Sequence, residues 1–325
     1  MISIGATTPK RSMQILCLLL LLSISAFSQS RSIRFTQFNG ATYLYLADVA
    51  SFYGLQYKVN DKKIFLTSKS VIISFSVNNR LMVFNGVQVY LSRAIAVDKK
   101  IFLIGKSDFQ LVLEPLMRKS NVPKRTIQKI VVDAGHGGKD VGAIFNGTKE
   151  KEINLRVATL LAQKLRKDGF EVIMTRTKDV DMSLEERTAL TAKCKADLFI
   201  SIHCNSAAAS VKGLEVYVAT PAGDYNTDDN TPQKVACAAN AYDKINIVLG
   251  YAIQSTLLSK IKMADRGVRR KRFYVIRNVP CPAALVEIGY LSNSSEREEL
   301  KKASRQDGIA EAIKDSIVLI RNVTK

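Results

Sequence analysis

The sequence predicts an α/β protein whose larger part is an open, largely parallel sheet with helices on both faces, preceded by a small β-rich domain. Three observations lead there. Beyond residue 126, apolar runs of strand length alternate with stretches of helical periodicity, the pattern of repeated strand-helix units. Two of those runs, VVDAGHGG and FISIHCN, end alike and place the two histidines of the chain, His136 and His203, at strand ends. Before residue 119, short runs alternate at period two between turn residues instead.

The chain has 325 residues and 47% hydrophobic content, enough for a sizeable core in two domains. Residues 1–28 follow the order of a secretory signal peptide: Lys10 and Arg11, an apolar stretch from Met13 to Phe27, then Ala26-Phe27-Ser28 before Gln29. That stretch is short for a membrane span, and no other segment approaches spanning length. The expected mature protein is therefore exported to the periplasm or cell envelope, without stable membrane insertion. Cys17 stands at the front of the apolar run, which argues against a lipoprotein anchor.

An oxidising compartment permits disulfides. Cys194, Cys204, Cys237 and Cys281 allow three pairings that the sequence does not rank, and no two form a CxxC pair, so an all-thiolate metal site is disfavoured. The formal charge is +19. Residues 30–125 carry 15 Lys+Arg against 5 Asp+Glu, and residues 126–325 carry 31 against 24, so the excess is spread over both parts. Its densest cluster is Arg266, Arg269, Arg270, Lys271 and Arg272. On an exported protein such a basic surface would be held near cell-wall polymers and lipid head groups. The export signal and the lack of a nucleic-acid motif argue against nucleic acid as a partner.

From residue 30 to 119 the reading is β-rich. RFTQFNGATYLYLADVASFYG gives a strand, a turn at Asn39-Gly40, and a short helix from Leu46 to Phe52 ended by Gly54. KIFLTS, VIISFSV, LMVFNGVQVYL and IAVDKKIFLIG continue as strands. This part holds no histidine and no catalytic constellation. Its Leu46–Leu55 segment and VNNRLMVFNGVQVYL hairpin resemble the N-terminal domain of copper amine oxidases, a resemblance that implies attachment or binding rather than copper chemistry. Residues 120–126, basic and containing Pro123, read as a linker.

The catalytic part is expected over 127–325. Lys129 to Asp133 is a strand. Ile153, Val157, Leu160, Leu161 and Leu165 then recur at helical spacing up to Gly169. FEVIMTR is a strand, Ser183 with Glu186 forms a capping box, and DLFISIHCN, GLEVYVAT and AALVEIGYL are further strands. In open α/β sheets ligands bind beyond the carboxyl ends of the strands, where His136, His203 and Glu287 fall.

A catalytic zinc usually has three ligands from His, Glu or Asp and keeps a position open. The histidines supply two, and TKEKEINL offers Glu150 or Glu152 as the third; spacing alone leaves both open, Glu152 having an alternative role at the helix dipole. Glu287, between Val286 and Ile288 on an apolar strand, is poorly explained as a surface charge and suits a general base.

At this point the residues resemble a family. IVVDAGHGGKDVGA, TKEKEINL, ISIHCNS and RGVRRKRFYVIRNVPCPAALVEIGYLSN are together similar to the zinc-dependent N-acetylmuramoyl-L-alanine amidases, over residues 127–320. The resemblance implies exported hydrolases of the amide between N-acetylmuramic acid and L-alanine in peptidoglycan. It implies His136, Glu150 and His203 as ligands of one zinc per chain and Glu287 as catalytic acid/base, which favours Glu150 over Glu152. It also implies a supporting role for Asn205, while Cys204 departs from the small residue common there and reads as core. In regulated members an inserted helix covers the metal until an activator protein displaces it. The acidic loop AGDYNTDDNTPQ, with Asp224, Asp228 and Asp229, stands near that place but reads as an ordinary rim loop. The rival readings are another zinc amidohydrolase or carboxypeptidase acting on wall peptides, and a catalytically silent wall-binding protein.

Overall fold

The computed structural model describes residues 32–325, and the expected signal peptide lies outside the described residues. The chain opens with a hairpin of β1 (Phe35–Phe38) and β2 (Ala41–Tyr45), turned by Asn39 and Gly40, both in the left-handed region. Helix α1 (Leu46–Phe52) buries Leu46, Val49 and Ala50 and gives way to Gly54 at φ +65°. Strands β3 (Gln56–Asn60), β4 (Lys63–Thr67), β5 (Ile72–Ser76), β6 (Leu81–Phe84) and β7 (Val87–Tyr90) follow as an antiparallel meander. Then β8 (Ala96–Asp98) and β9 (Ile101–Gly105) return to β2. Helix α2 (Lys106–Asp108) runs through a π-helical turn at Phe109–Leu113 into α3 (Glu114–Met117).

The second part contains β10 (Lys129–Ala134), the small hairpin of β11 (Ile144–Phe145) and β12 (Thr148–Lys149), α4 (Glu150–Lys167), β13 (Glu171–Met174), α5 (Leu184–Lys193) and β14 (Leu198–Asn205). It continues with β15 (Leu214–Val218), α6 (Asp243–Ile261), β16 (Asp265–Arg270), α7 (Tyr274–Arg277), β17 (Ala283–Tyr290), α8 (Ser294–Lys301) and α9 (Ala303–Val323). Between the parts, Lys119–Asn121 form one 3-10 turn, and Arg125 donates to the carbonyls of Thr324 and Asp197.

The strands assemble into a large mixed sheet of order β13-β10-β14-β17-β15-β16-β7-β6-β5-β4-β3. Its first four strands are parallel, as the alternating pattern implied; β15 runs antiparallel to β17 and parallel to β16. The meander joins through β7, whose Val89 pairs with Val268 of β16. A separate four-stranded sheet, β1-β2-β9-β8, keeps part of the N-terminal region distinct. One apolar layer holds Ile130, Val132, Ile202, Val286 and Val268 with side chains of α4, α6 and α9. The opposite face buries Val131, Phe199 and Leu285 under Val275 and Ile276 of α7, so helices cover both faces of the parallel strands.

Strand β16 carries a correction. The basic cluster read as a polyanion-holding surface is largely consumed inside the protein. Arg270 is among the largest fully buried side chains, its Nη1 donating to Ser92 Oγ at 2.6 Å and lying 3.4 Å from Asp108 and 3.5 Å from Asp224. Arg269 pairs with Glu215 at 3.0 Å and Asp228 at 3.3 Å. Arg272 donates to the Thr220 carbonyl and to Asn240. Alternation on the strand sends Arg269 and Arg270 to opposite faces, where acids from other strands and loops meet them, because a buried guanidinium left unpaired costs several kcal/mol. Among the described residues, no helix is long and apolar enough to cross a membrane.

Candidate metal centre

Strand β10 is apolar up to Asp133 and ends in Ala134, after which the chain turns sharply. His136 takes φ +60° and Gly137 φ +136°. A histidine in the left-handed region is strained and persists only where its surroundings hold it. Two buried arginines do so. Arg176 donates to the carbonyls of Ala134 and Gly135, each at 2.9 Å, and Arg187 to those of Ala134 and His136, each at 2.8 Å. Arg187 also meets Asp133 Oδ1 at 2.6 Å, while Ser201 and Thr175 donate to the same carboxylate. Burial by itself would raise the Asp133 pKa, but Arg187 and these hydroxyls outweigh it and hold the carboxyl below its ordinary value.

Glu150 opens α4, reached through the β11-β12 hairpin, and points back under the strand ends. Its side chain is 6% exposed against 60% for Glu152, which pairs with Lys149 in solvent. Glu150 Oε1 lies 3.1 Å from His136 Nε2 and 3.0 Å from His203 Nδ1, and accepts the Cys204 backbone N–H at 3.1 Å. Burial would raise the Glu150 pKa, yet the two histidines hold it well below the carboxylate range. His136 moves the other way: burial would lower it, and Glu150 and Asp140 raise it.

One donor atom from each of His136, Glu150 and His203 lies within 4.8 Å of the others. Two imidazole nitrogens and one carboxylate are the donor set of a catalytic zinc. Two glycines make room for them. A Cβ at Gly135 would overlap the His203 ring, and one at Gly142, where φ is +66°, would sit 2.6 Å from Glu150 Oε2 and 2.7 Å from His136 Cδ2. The residues present fit the metal.

Glu287 belongs to the same site. Its Cα pairs with His203 across β14 and β17 and with Glu215 across β17 and β15, so all three side chains share one face. It is buried, and its Oε2 has no hydrogen-bond partner in the protein. Burial, then the charges of Glu150 and Glu215, push its pKa well above the ordinary value. Glu215 beside it pairs with Arg269 at 3.0 Å, and also accepts from Asn205 Nδ2 at 2.5 Å and from the Tyr290 hydroxyl. Asn205 thus supports the site through Glu215, not through His203. Cys204 points into the apolar layer, and the four described cysteines are unpaired.

Sequence reasoning missed Asp140, whose Oδ2 lies 2.8 Å from His136 Nδ1, and the clamp of Arg176 and Arg187. The four-residue spacing of His136 and Asp140 in one loop was the available signal; nothing in the sequence linked the arginines to residues about forty to fifty positions earlier. The acids of the 221–232 loop are engaged elsewhere: Asp224 accepts from Ser107, Asp228 from Tyr217, and Asp229 from the Thr231 N–H. Beside the histidines opens a cleft of about 440 Å³ walled by Leu184, Phe273 and Tyr274.

Residues 130–318 match the Amidase_3 family, described as N-acetylmuramoyl-L-alanine amidase. The chain is similar to uncharacterized protein YqiI of Bacillus subtilis (strain 168), 37% identical over 188 residues, or 58% of this chain and 82% of that protein. It is also similar to the N-acetylmuramoyl-L-alanine amidase LytC of the same strain, 38% identical over 192 residues, or 59% of this chain and 35% of LytC. Among solved structures, the catalytic domain of the amidase CwlV from Bacillus (Paenibacillus) polymyxa var. colistinus aligns with a TM-score of 0.52 and 30% identity, covering 61% of this chain and 99% of that domain.

Proposed function

The chain belongs to the N-acetylmuramoyl-L-alanine amidase family, and from that premise we propose that it is an exported, zinc-dependent enzyme that hydrolyses the amide between N-acetylmuramic acid and L-alanine in peptidoglycan. The observation that carries the reading is the convergence of His136, Glu150 and His203, with Glu287 on the neighbouring strand.

In this reading His136 would hold zinc through Nε2, its Nδ1–H facing Asp140, and Glu150 and His203 would complete the protein's donors. Zinc bound there would supply a Lewis acid, making water a better nucleophile near neutral pH and polarising the scissile carbonyl. Glu287 takes a proton from the attacking water and returns it to the departing nitrogen of L-alanine, which leaves as an amine. Its free Oε2 is the acceptor available for that proton. Glu215, fixed by Arg269, keeps the Glu287 environment proton-retaining, which favours the second of these transfers. The cleft beside His136 and His203 gives the bulky substrate access, with Leu184, Phe273 and Tyr274 as an apolar wall.

Residues 30–119 serve in this reading as a wall-attachment domain resembling the copper amine oxidase N-terminal domain, joined by 120–126 to the catalytic residues 127–325. The test of the zinc assignment is metal content. Purified protein reconstituted with zinc should hold about one equivalent per chain, and His136→Ala and His203→Ala should lose it. Full retention by both variants would remove the assignment.

A further inference from the structure

Asp228 stands where the N-terminal meander meets the catalytic part, and one arginine of the meander fixes the backbone around it. Arg80, the residue before β6, donates to the carbonyls of Tyr225 at 3.1 Å, Asn226 at 2.9 Å and Thr227 at 3.5 Å, and to Asn230 Oδ1 at 2.5 Å. Its Nε donates to the Leu91 carbonyl at 2.7 Å, which ties the guanidinium to its own hairpin. These partners are all carbonyl or amide oxygens, so the rigid fork acts here by direction and not by pairing with an acid. Two more side chains of the N-terminal region hold the start of the loop: Ser107 donates to Asp224 at 2.6 Å, and the Arg93 guanidinium lies 5.0 Å from the Tyr225 ring centroid.

From the loop, contacts lead to the wall of the cleft. Thr227 docks beside β16, its N–H donating to the Arg270 carbonyl at 2.8 Å and its Oγ accepting the Arg270 N–H at 2.9 Å. The next residue, Asp228, accepts from the Tyr217 hydroxyl at 3.0 Å and lies 3.8 Å from Lys271 Nζ. Tyr217 is buried, with its ring edge-on to Phe273 at 5.0 Å between centroids, and Lys271 Nζ sits 5.1 Å from the centre of the same Phe273 ring. Phe273 lines the cleft beside His136 and His203. Both polar-tipped side chains that face its ring therefore lead back to one carboxylate. In a closely packed interior, shifting that carboxylate shifts the chain of contacts behind it.

We infer that Arg80 is a positioning residue for the catalytic cleft: the N-terminal meander holds Asp228 in place, and Asp228, through Tyr217 and Lys271, holds Phe273 in the cleft wall. The meander thereby has a task inside the enzyme besides attachment. Arg80 lies outside the cleft and away from the metal-binding residues, so it acts on the reaction through the 221–232 loop alone. That the cleft receives substrate rests on the amidase reading; the mechanical link from Arg80 to Phe273 does not.

The test compares the full zinc-loaded chain with Arg80→Met, Asp228→Ala and the double variant. Amide hydrogen exchange of Arg80→Met should rise over residues 224–230 and 272–277 and stay as in wild type over β10 and α4. With soluble muropeptides as substrate, KM should rise by roughly fivefold in each single variant with a smaller change in kcat, and the double variant should match Asp228→Ala, since both changes break one path. Should Arg80→Met fail to fold, Asn230→Gly decides: it removes the side-chain acceptor of Arg80 and suits the positive φ of +54° there. Unchanged exchange over 272–277, an unchanged KM in a folded variant, or single-variant effects that multiply in the double variant would each overturn the inference. The two readings separate in the same samples. The expected exchange pattern without cleavage by wild type removes the amidase assignment and leaves the link from Arg80 to Phe273, whereas cleavage with an unaltered exchange pattern removes the link alone.

Discussion

His136 Nδ1 lies 2.8 Å from Asp140 Oδ2, four residues along the same loop. That contact fixes which ring nitrogen carries the proton and leaves Nε2 free as a donor beside Glu150. Asp140→Asn should lower zinc affinity by roughly 10–100-fold while leaving the fold intact, as loss of a ligand's outer partner does. Chelator competition on the purified variant measures it, and an unchanged affinity would deny Asp140 this role.

The two glycines under the donors are steric requirements. Gly142→Ala would press a methyl group onto Glu150 and His136 at a positive φ. Bound zinc and activity should both fall by more than about tenfold, with a modest loss of stability of about 1–2 kcal/mol. Zinc content and unfolding midpoints of the same preparation distinguish this from general unfolding.

Asp133 and Arg187 hold the loop from below at 2.6 Å, both buried. Removing one partner of such a pair costs about 3–5 kcal/mol, so Arg187→Met should lower the unfolding free energy by that order. The pH dependence has a definite sign. The folded Asp133 pKa lies below its unfolded value, so its stabilisation is complete above the ordinary carboxylate range, about 4, and is lost as pH falls through the folded value. Urea unfolding at several pH values should show Asp133→Asn flattening that acid limb.

Arg270 ties β16 to the N-terminal region through Ser92 and Asp108 and to the 221–232 loop through Asp224. Arg270→Ala leaves two buried carboxylates without their cation and should destabilise the protein by about 3–5 kcal/mol. It should not alter the salt dependence of binding to anionic polymers, because the side chain never reaches solvent. A strong change in that salt dependence would restore the surface reading of the cluster.

Much of the site was legible because chemistry and spacing agree: two rare histidines at two like strand ends, and a carboxylate on an apolar strand. Glu150 and Glu152 stayed ambiguous on spacing since their difference is one of direction, and direction is set by the β11-β12 hairpin, four residues of strand with no strong pattern of their own. Strand β16 was hidden because Val268 is its one apolar core residue, while its arginines meet acids that lie elsewhere in the chain. The single sheet spanning both parts was equally invisible, resting on one pair, Val89 with Val268, that no local pattern announces.

The central claim is tested most directly by digesting purified sacculi with zinc-loaded protein and identifying the new amino termini. The account predicts new L-alanine amino termini with wild-type protein, and none with Glu287→Gln even though that variant still holds about one zinc. Normal turnover by Glu287→Gln, or release of free D-alanine in place of L-alanine termini, would contradict it.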